Sequence, residues 1–455
     1  MRKMILQCGA LALSLLAANV MAAVSPDEAN KLGTSLTPLG AEKAGNADGS
    51  IPAWTGGIAK NAGAVDSKGF LADPFAGEKP LFTITAETVD KYKDKLSEGQ
   101  IAMFKRYPQT YKIPVYPTHR SVGLPPEIYE SAKRSALNVT SINDGNGLSN
   151  FTGNRYYAFP IPKNGVEVLW NHVTRYHGGN LRRVITQVTP QTNGSFTPIR
   201  FEEEIAVPFL IKDADPEKAS NVLTYFKQSV TAPARLAGNV LLVHETLDQV
   251  KEPRLAWIYN AGQRRVRRAP QVAYDGPGTA ADGLRTSDNF DLFSGAPDRY
   301  DWKLIGKKEM YIPYNSYKLD SPSLKYDDVV KAGHINQDLT RYELHRVWEV
   351  EGTVKPSERH IYAKRHMYFD EDSWQAALVD HYDGRGQLWR VAEGHAQFYY
   401  DHQNPGYTLE ALYDIIAGRY IALGMKNEEK HSYQYGFEAK AADYTPAALR
   451  SEGVR

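Results

Sequence analysis

The chain changes its hydropathy rhythm near Arg155. Beyond that point apolar and polar residues alternate in short runs separated by turn signals, the period of half-buried β-strands. Residues 195–210 read as two extended pieces around Glu202-Glu203-Glu204, and residues 239–248 and 254–259 as strands. Asn260-Ala261-Gly262-Gln263 turns the chain into a further strand over 264–268. Residues 302–312, 341–354, 359–369 and 374–382 follow as strands, and Asp383-Gly384-Arg385-Gly386 makes a tight hairpin into 387–392. Links this short join antiparallel neighbours, because a parallel crossover needs about a dozen residues or more. Two stretches carry a helical stripe instead. Residues 219–230 place Val222, Leu223, Phe226 and Val230 on one side, and residues 410–423 do the same with Leu412, Ile415, Ile416 and Tyr420. The pattern predicts a mainly β protein with some α, built on a large antiparallel sheet and closed by a helix.

The N-terminal third has no sustained period. Ser25-Pro26-Asp27-Glu28 is a capped helix start, and Gly33 suits its end. Residues 37–58 are rich in Gly, Pro and Ala, with Asn46-Ala47-Asp48-Gly49 as a turn and Trp54 as the one large anchor. They read as ordered loop wrapped over another part of the protein, with flexible linker as the plainer alternative. Residues 85–106 carry an imperfect helical stripe broken near Gly99, and Pro125-Pro126 open a second short helix through Ala136. Three segments result: residues 1–22, an export signal; 23–154, loop and short helix wrapping the sheet; and 155–455, the antiparallel β domain.

Alternation within the strands assigns side chains to faces. Leu255, Trp257 and Tyr259 share one face; Leu344, Trp348 and Val350 share another with Arg346, opposite His345, Val347, Glu349 and Glu351. Trp374, Ala376, Leu378 and Tyr382 line up with Asp380 among them. One apolar, aromatic face and one mixed, charged face predict a sheet wetted on one side. Few helical residues are available to cover so wide a sheet, which leaves either an apolar cavity or a space filled by loops. If a cavity is present, Trp257, Tyr259, Leu344, Trp348, Val350 and Trp374 are the candidates for its wall, although each also suits plain core.

Composition narrows the setting. Arg2 and Lys3 precede an apolar run over residues 5–16, and Val20-Met21-Ala22 fits a signal-peptidase site, placing a cut between Ala22 and Ala23. That run is far short of the roughly 20 residues needed to cross a bilayer. Cys8 sits inside it, too early for lipidation, and is the sole cysteine. The exported chain therefore has no thiol for disulfides, metal sites or nucleophilic catalysis. Its roughly 430 residues exceed the ~250–300 of a single core. Without Arg2 and Lys3 the 54 basic residues become 52, against 53 acidic, a formal charge of −1. A balance this even gives no long-range attraction to nucleic acid or anionic membrane. After the signal no run of 18 apolar residues occurs, so no membrane span is expected.

Catalytic and metal motifs are absent: there is no G-x-S-x-G elbow, no phosphate-binding P-loop and no H-E-x-x-H. His172 and His177, with Glu167, are the nearest approach to a zinc set, and His360, His366 and His381 fall on neighbouring strands. Asp288, Asp291, Asp298 and Asp301 lack the fixed spacing of a calcium loop. No catalytic residue, metal or cofactor is assigned. The basic run Arg264, Arg265, Arg267 and Arg268 splits between two strand faces. Arg265 and Arg267 suit a grip on an anionic head group or a partner's carboxylates; cross-strand pairing with acids is the plainer reading.

Three segments carry a family resemblance. Leu32-Gly33 with the stretch from Leu36 to Gly57 resembles the N-terminal signature of an uncharacterised periplasmic family of outer-membrane lipoprotein-sorting-like proteins. Ala256-Trp257-Ile258-Tyr259 with Arg264-Arg265-Val266-Arg267-Arg268 resembles its W-x-Y-turn-R-x-V-R hairpin. Trp348-Glu349-Val350-Glu351-Gly352, Tyr362-Ala363-Lys364 and Tyr382-Asp383-Gly384-Arg385-Gly386-Gln387-Leu388 resemble successive strands of LolA/LolB-like folds. The resemblance implies a curved antiparallel half-barrel with helices against its concave side and an apolar cavity between them. It also implies company: an efflux-type inner-membrane transporter and an outer-membrane partner. The chain is about twice as long as a minimal carrier of that fold, and no lipoprotein-transfer residues carry over. The expected function is a soluble periplasmic carrier or adaptor that binds a lipid or other hydrophobic molecule between envelope partners. A hydrolase using His and carboxylates from loops, and a non-catalytic scaffold of an envelope transport complex, are the alternatives.

Overall fold

The computed structural model describes residues 23–151 and 156–453; the export signal expected over residues 1–22 lies outside them. Two meanders make the sheet. The first runs through β5 (Leu181–Val188), β6 (Ile199–Ala206), β7 (Val222–Ala232), β8 (Val240–Thr246), β9 (Leu255–Asn260) and β10 (Arg265–Arg268). The second runs through β12 (Tyr342–Val354), β13 (Lys364–Asp370), β14 (Ala376–Tyr382), β15 (Leu388–Tyr399), β16 (Asn404–Asp414) and β17 (Arg419–Met425). β17 pairs with β5 and fuses the two into one 16-stranded sheet. β11 (Tyr300–Pro313) lies on β12, and β18 (Gln434–Tyr435) on β5. From the N-terminal third, β1 (Phe82–Ile84) and β2 (Ile113–Val115) extend the sheet beside β12, through the bridge Tyr342–Val115, the one parallel pairing between its named strands. A separate hairpin joins β3 (Thr140–Ile142) to β4 (Gly147–Ser149). The sheet stays open: among the described residues β1 and β10, at its ends, each pair on one side only.

The large antiparallel sheet is thus as expected, with two corrections. Residues 219–230 are not helix but mostly strand β7, and residues 410–423 are not a closing helix but the β16–β17 hairpin. Val222, Thr224, Tyr225, Phe226, Val230 and Thr231 are β-branched or aromatic, and that composition outweighs the accidental i, i+4 spacing. In the second case Leu412 and Tyr420 join different core clusters, while Ile416 stands exposed at the turn. Gly418, at φ +67°, supplies the left-handed residue that closes this turn. The true helices are short: α1 (Pro26–Ala29), α2 (Glu98–Arg106), α3 (Pro126–Asn138), α4 (Gly165–Val173), α5 (Tyr326–Val329) and α6 (Ala448–Gly453).

The wetted face predicted for β12 and β14 also fails. Every residue of β14 is buried, and Glu343, His345, Asp380 and Glu393 sit inside the protein. The N-terminal segment covers this charged face and supplies several of its hydrogen bonds. Ser97 caps α2 and donates from Oγ to Asp380 Oδ1 at 3.1 Å, and the Gly99 amide donates to Asp380 Oδ2 at 2.9 Å. Gly99 is required by this approach, since a Cβ there would fall 2.1 Å from Asp380 Oδ1. Tyr111 and Tyr342 donate their hydroxyls to Glu393 at 3.1 and 3.0 Å. Buried polar groups with partners of this kind keep a charged face compatible with a dry interior.

Candidate functional site

Cross-strand register builds the site. On one face of β5–β8, Leu181, Ile205, Phe226 and Val243 form an apolar row in consecutive pairing. The adjoining row, Arg183, Glu203, Gln228 and Leu241, is mostly polar, and Thr224 opposite Glu245 adds a third. Residues two apart along a strand share a face, so both kinds of row look into the same space. That space is an inner cavity of about 140 Å³, roofed by residues between β10 and β11, among them Gly278, Arg285, Phe290 and Asp291. A second cavity of about 560 Å³ adjoins it, and Val173, Arg175, His177, Ile205, Leu223 and Thr224 line both. The wall of the outer cavity is largely apolar, with Tyr156, Val207, Phe209, Ile211 and Leu247. Phe209 and Leu210 are exposed to solvent nearby.

Charges converge on the inner cavity, mostly in pairs. Arg254 donates from Nε to Glu245 Oε2 at 2.8 Å, with NH2 in ion-pair contact with Oε1 at 2.7 Å. Arg183 donates to Glu203 at 2.7 Å, and Gln228 donates to the other oxygen of Glu203 at 2.6 Å. Arg175 meets Asp291 at 2.5 Å. Two groups stand apart: among the described residues neither Arg285 nor Glu410 has an ion-pair partner. Burial, followed by the nearby Asp291 charge, pushes the Glu410 carboxyl up to about 8. Burial, followed by Arg175, pushes His177 down to about 3, so its imidazole is neutral.

The residues singled out in the sequence go elsewhere. Trp348 and Trp374 stack with centroids 5.8 Å apart, and Trp374 Nε1 donates to the Leu39 carbonyl at 2.9 Å. They belong with Val350 to the main core cluster. Leu344 packs in a second cluster with Tyr311 and Leu339, and Trp257 and Tyr259 pack in a third against Tyr444 and Leu449. None of the six lines either cavity. Arg265 and Arg267 are exposed on the edge strand β10. Among the described residues neither makes an ion pair, so the cross-strand acid pairing is not formed there.

The histidines are dispersed as well. His172 Nδ1 accepts from the Ala376 amide at 3.1 Å while Nε2 bonds the Asp291 carbonyl at 2.9 Å, and burial lowers its pKa to about 4. Both ring nitrogens serve the fold, and His177 points to the cavity without it. His366 bonds Glu349 on one face of β13, while His360 and His381 flank Tyr362 on the other. The four loop aspartates separate: Asp288 binds His360 and Arg365, Asp291 binds Arg175, Asp298 accepts from Tyr274, and Asp301 is exposed. His345, Asp370 and Asp372 lie close enough to share an ion, but Arg120 already holds Asp372 through two hydrogen bonds.

Sequence reasoning missed Arg175, Arg183, Arg285, Asp291 and Glu410 as a group. One signal was present. Arg182-Arg183 and Glu202-Glu203-Glu204 occupy successive strands, and complementary charge fixes their register as Arg182–Glu204 and Arg183–Glu203. Arg285 gave none, because only the folded loop places it over the sheet.

Fold and site together define an open-sheet β protein with a small roofed cavity that adjoins a larger, mostly apolar one. Residues 83–450 match the DUF1329 family, described as a protein of unknown function, and the chain belongs to that family. It is 71% identical over 454 residues to Uncharacterized protein PA3922 of Pseudomonas aeruginosa, across 100% of this chain and 99% of that relative. Among solved structures it is similar to a domain from Vibrio parahaemolyticus named for outer membrane lipoprotein sorting, at 13% identity and a TM-score of 0.43, over 63% of this chain and 98% of that one. It is also similar to a DUF1329 family protein from Desulfovibrio piger, at 13% identity and a TM-score of 0.40, over 59% and 90% of the two chains. A LolA superfamily protein, NE2245 of Nitrosomonas europaea, matches at 11% identity and a TM-score of 0.38, over 62% and 98%. Among the described residues no helix is long and apolar enough to cross a membrane.

Proposed function

We propose that this chain is a soluble periplasmic carrier or adaptor that takes a lipid or other hydrophobic molecule into the adjoining cavities and passes it between envelope partners. The carrying observation is the outer cavity of about 560 Å³ with its largely apolar wall. It falls within the ~300–1,000 Å³ typical of small-molecule sites, which are mostly apolar with a few placed polar groups. The positive start, apolar run and small residues of positions 1–22 support export. The partners proposed, an efflux-type inner-membrane transporter and an outer-membrane component, are those that the sequence resemblance implies. Arg265 and Arg267, exposed on the unpaired edge of β10, suit contact with such a partner or with a lipid head group.

The hydrolase alternative draws less support. It needs a histidine and a carboxylate within hydrogen-bond reach of each other at the cavity. His177 is neutral and, among the described residues, has no carboxylate at ion-pair distance, while arginines already hold Asp291 and Glu245.

Leu223 lines both cavities and is only partly buried, so a larger side chain there fills ligand space without overpacking the core. Leu223→Trp is expected to weaken binding of a fluorescent long-chain lipid analogue by about tenfold or more, roughly 1.4 kcal/mol. Its melting temperature should stay within a few degrees of the parent. Fluorescence titration checks this; equal affinity in parent and variant, or no binding by the parent, would sink the carrier reading.

A further inference from the structure

Arg285 is 4% exposed and lines the inner cavity. Among the described residues no carboxylate lies at ion-pair distance from it. Among the described residues its guanidinium makes one hydrogen bond, a long one from NH1 to the Thr286 carbonyl at 3.5 Å, and its buried Nε has no partner. A guanidinium carries five N–H donors in a planar fork, and leaving them idle away from water is strongly unfavourable. Such a group persists where something else satisfies it.

The surroundings hold this guanidinium in place. Gly278 lies beneath it: a Cβ at that position would fall 2.8 Å from the guanidinium carbon and about as close to two of its nitrogens. The Gly278 amide donates to the Arg285 carbonyl at 2.9 Å, and Pro277 bridges Thr286 in antiparallel fashion, so the two segments are tied back to back. The Phe290 ring flanks the group at 5.9 Å. Charge accounting leaves Arg285 alone. Arg254, Arg183 and Arg175 are matched by Glu245, Glu203 and Asp291. Glu410, the remaining carboxylate, is held largely protonated at neutral pH by burial and by Asp291, and does not cancel the charge.

Resting on the carrier reading above, we infer that Arg285 is the receptor for an anionic head group, a carboxylate or phosphate, so that the ligand class is an acidic amphiphile. An oxyanion meeting the fork edge-on takes two parallel hydrogen bonds, the geometry that makes arginine the usual choice for such groups. The apolar row Leu181, Ile205, Phe226 and Val243 and the neighbouring outer cavity then face the ligand's hydrocarbon part.

The test compares a fluorescent C16 fatty acid with the fatty alcohol of equal length, and adds inorganic phosphate and acetate as chain-free anions. All four are titrated against the full chain and against Arg285→Gln and Arg285→Lys, each first shown folded by circular dichroism. The parent is expected to prefer the acid over the alcohol by about tenfold or more. Arg285→Gln should remove that preference while leaving alcohol affinity within about twofold, and Arg285→Lys should restore part of it. A parent with no acid preference overturns the inference even if the variants fail to fold, and so does a preference that survives Arg285→Gln; in both cases the carrier reading stands. Binding of phosphate or acetate that depends on Arg285, with neither amphiphile bound, keeps the anion site and overturns the carrier reading. No binding of any of the four overturns both.

Discussion

Replacing Arg120 with methionine is expected to lower the unfolding free energy by about 3–5 kcal/mol, the range for removing one partner of a buried ion pair. The Arg120 side chain is 3% exposed and grips both oxygens of Asp372, from Nε at 2.8 Å and from NH2 at 2.7 Å. NH2 also donates to the Glu42 carbonyl at 2.8 Å, and NH1 to the Lys43 and Pro52 carbonyls at 3.3 and 3.4 Å. One guanidinium therefore clamps the wrapping segment around residues 42–52 to the turn between β13 and β14. Methionine fills much of the volume but strands the Asp372 carboxylate, beside Asp370 and Glu371 whose carboxyls burial already raises. Glu371 keeps Lys307 and Arg346, so the loss falls mainly on Asp372. Urea denaturation of both proteins measures the difference. A change below about 1 kcal/mol, the range of an exposed pair, would show that the clamp contributes little.

The second large effect is on pH dependence. Glu393 is fully buried, and that burial raises its carboxyl from 4.5 to about 7, although the Tyr342 and Tyr111 hydroxyls donate to it and oppose the rise. Below pH 4.5 the residue is protonated in folded and unfolded chains alike and has no differential effect. Between 4.5 and 7 the unfolded chain ionises while the folded one keeps its proton, so stability falls as pH rises; above 7 both are ionised and the loss is complete. Linkage puts this loss on the order of 3 kcal/mol. Glu393→Gln removes the titration, so the stability of the variant minus that of the parent should climb by about that amount between pH 4.5 and 7 and then level off. Asp380, raised to about 7 by burial against the α2 donors, titrates in parallel and remains in both proteins. A difference independent of pH, measured by denaturation at half-unit steps, would contradict this account of Glu393.

Much of the fold was legible because β-strands leave local marks. The tight hairpin at Asp383–Gly386 and the alternation in residues 254–259 each fix a strand with its neighbour. Residues 219–230 and 410–423 misled because a spacing of three and four fits a helix stripe and a two-faced strand equally. In 219–230 the excess of Val, Thr, Tyr and Phe separates them, and in 410–423 the turn residue Gly418 does. The wet face was misjudged at His345 and Val347, and Asp380 was read among apolar residues, because the segment that covers these positions lies far away in sequence: Ser97 and Gly99 meet Asp380 across more than 280 positions. The candidate site was the least legible part. Large aromatics such as Trp348 and Trp374 draw attention, yet burial drives them into core. The cavity wall mixes ordinary Leu, Val and Thr side chains with charged ones such as Arg285, which lies in a loop whose sequence announces only turns.

The central claim, that the chamber carries a hydrophobic passenger, is tested most directly by native mass spectrometry of the chain expressed with residues 1–22 included and purified without detergent. The expected result is a complex with one amphiphile bound, lost on extraction with organic solvent and regained when the stripped protein meets the same lipid. Bare protein before extraction, with no uptake afterwards from lipid supplied in excess, would contradict the carrier account.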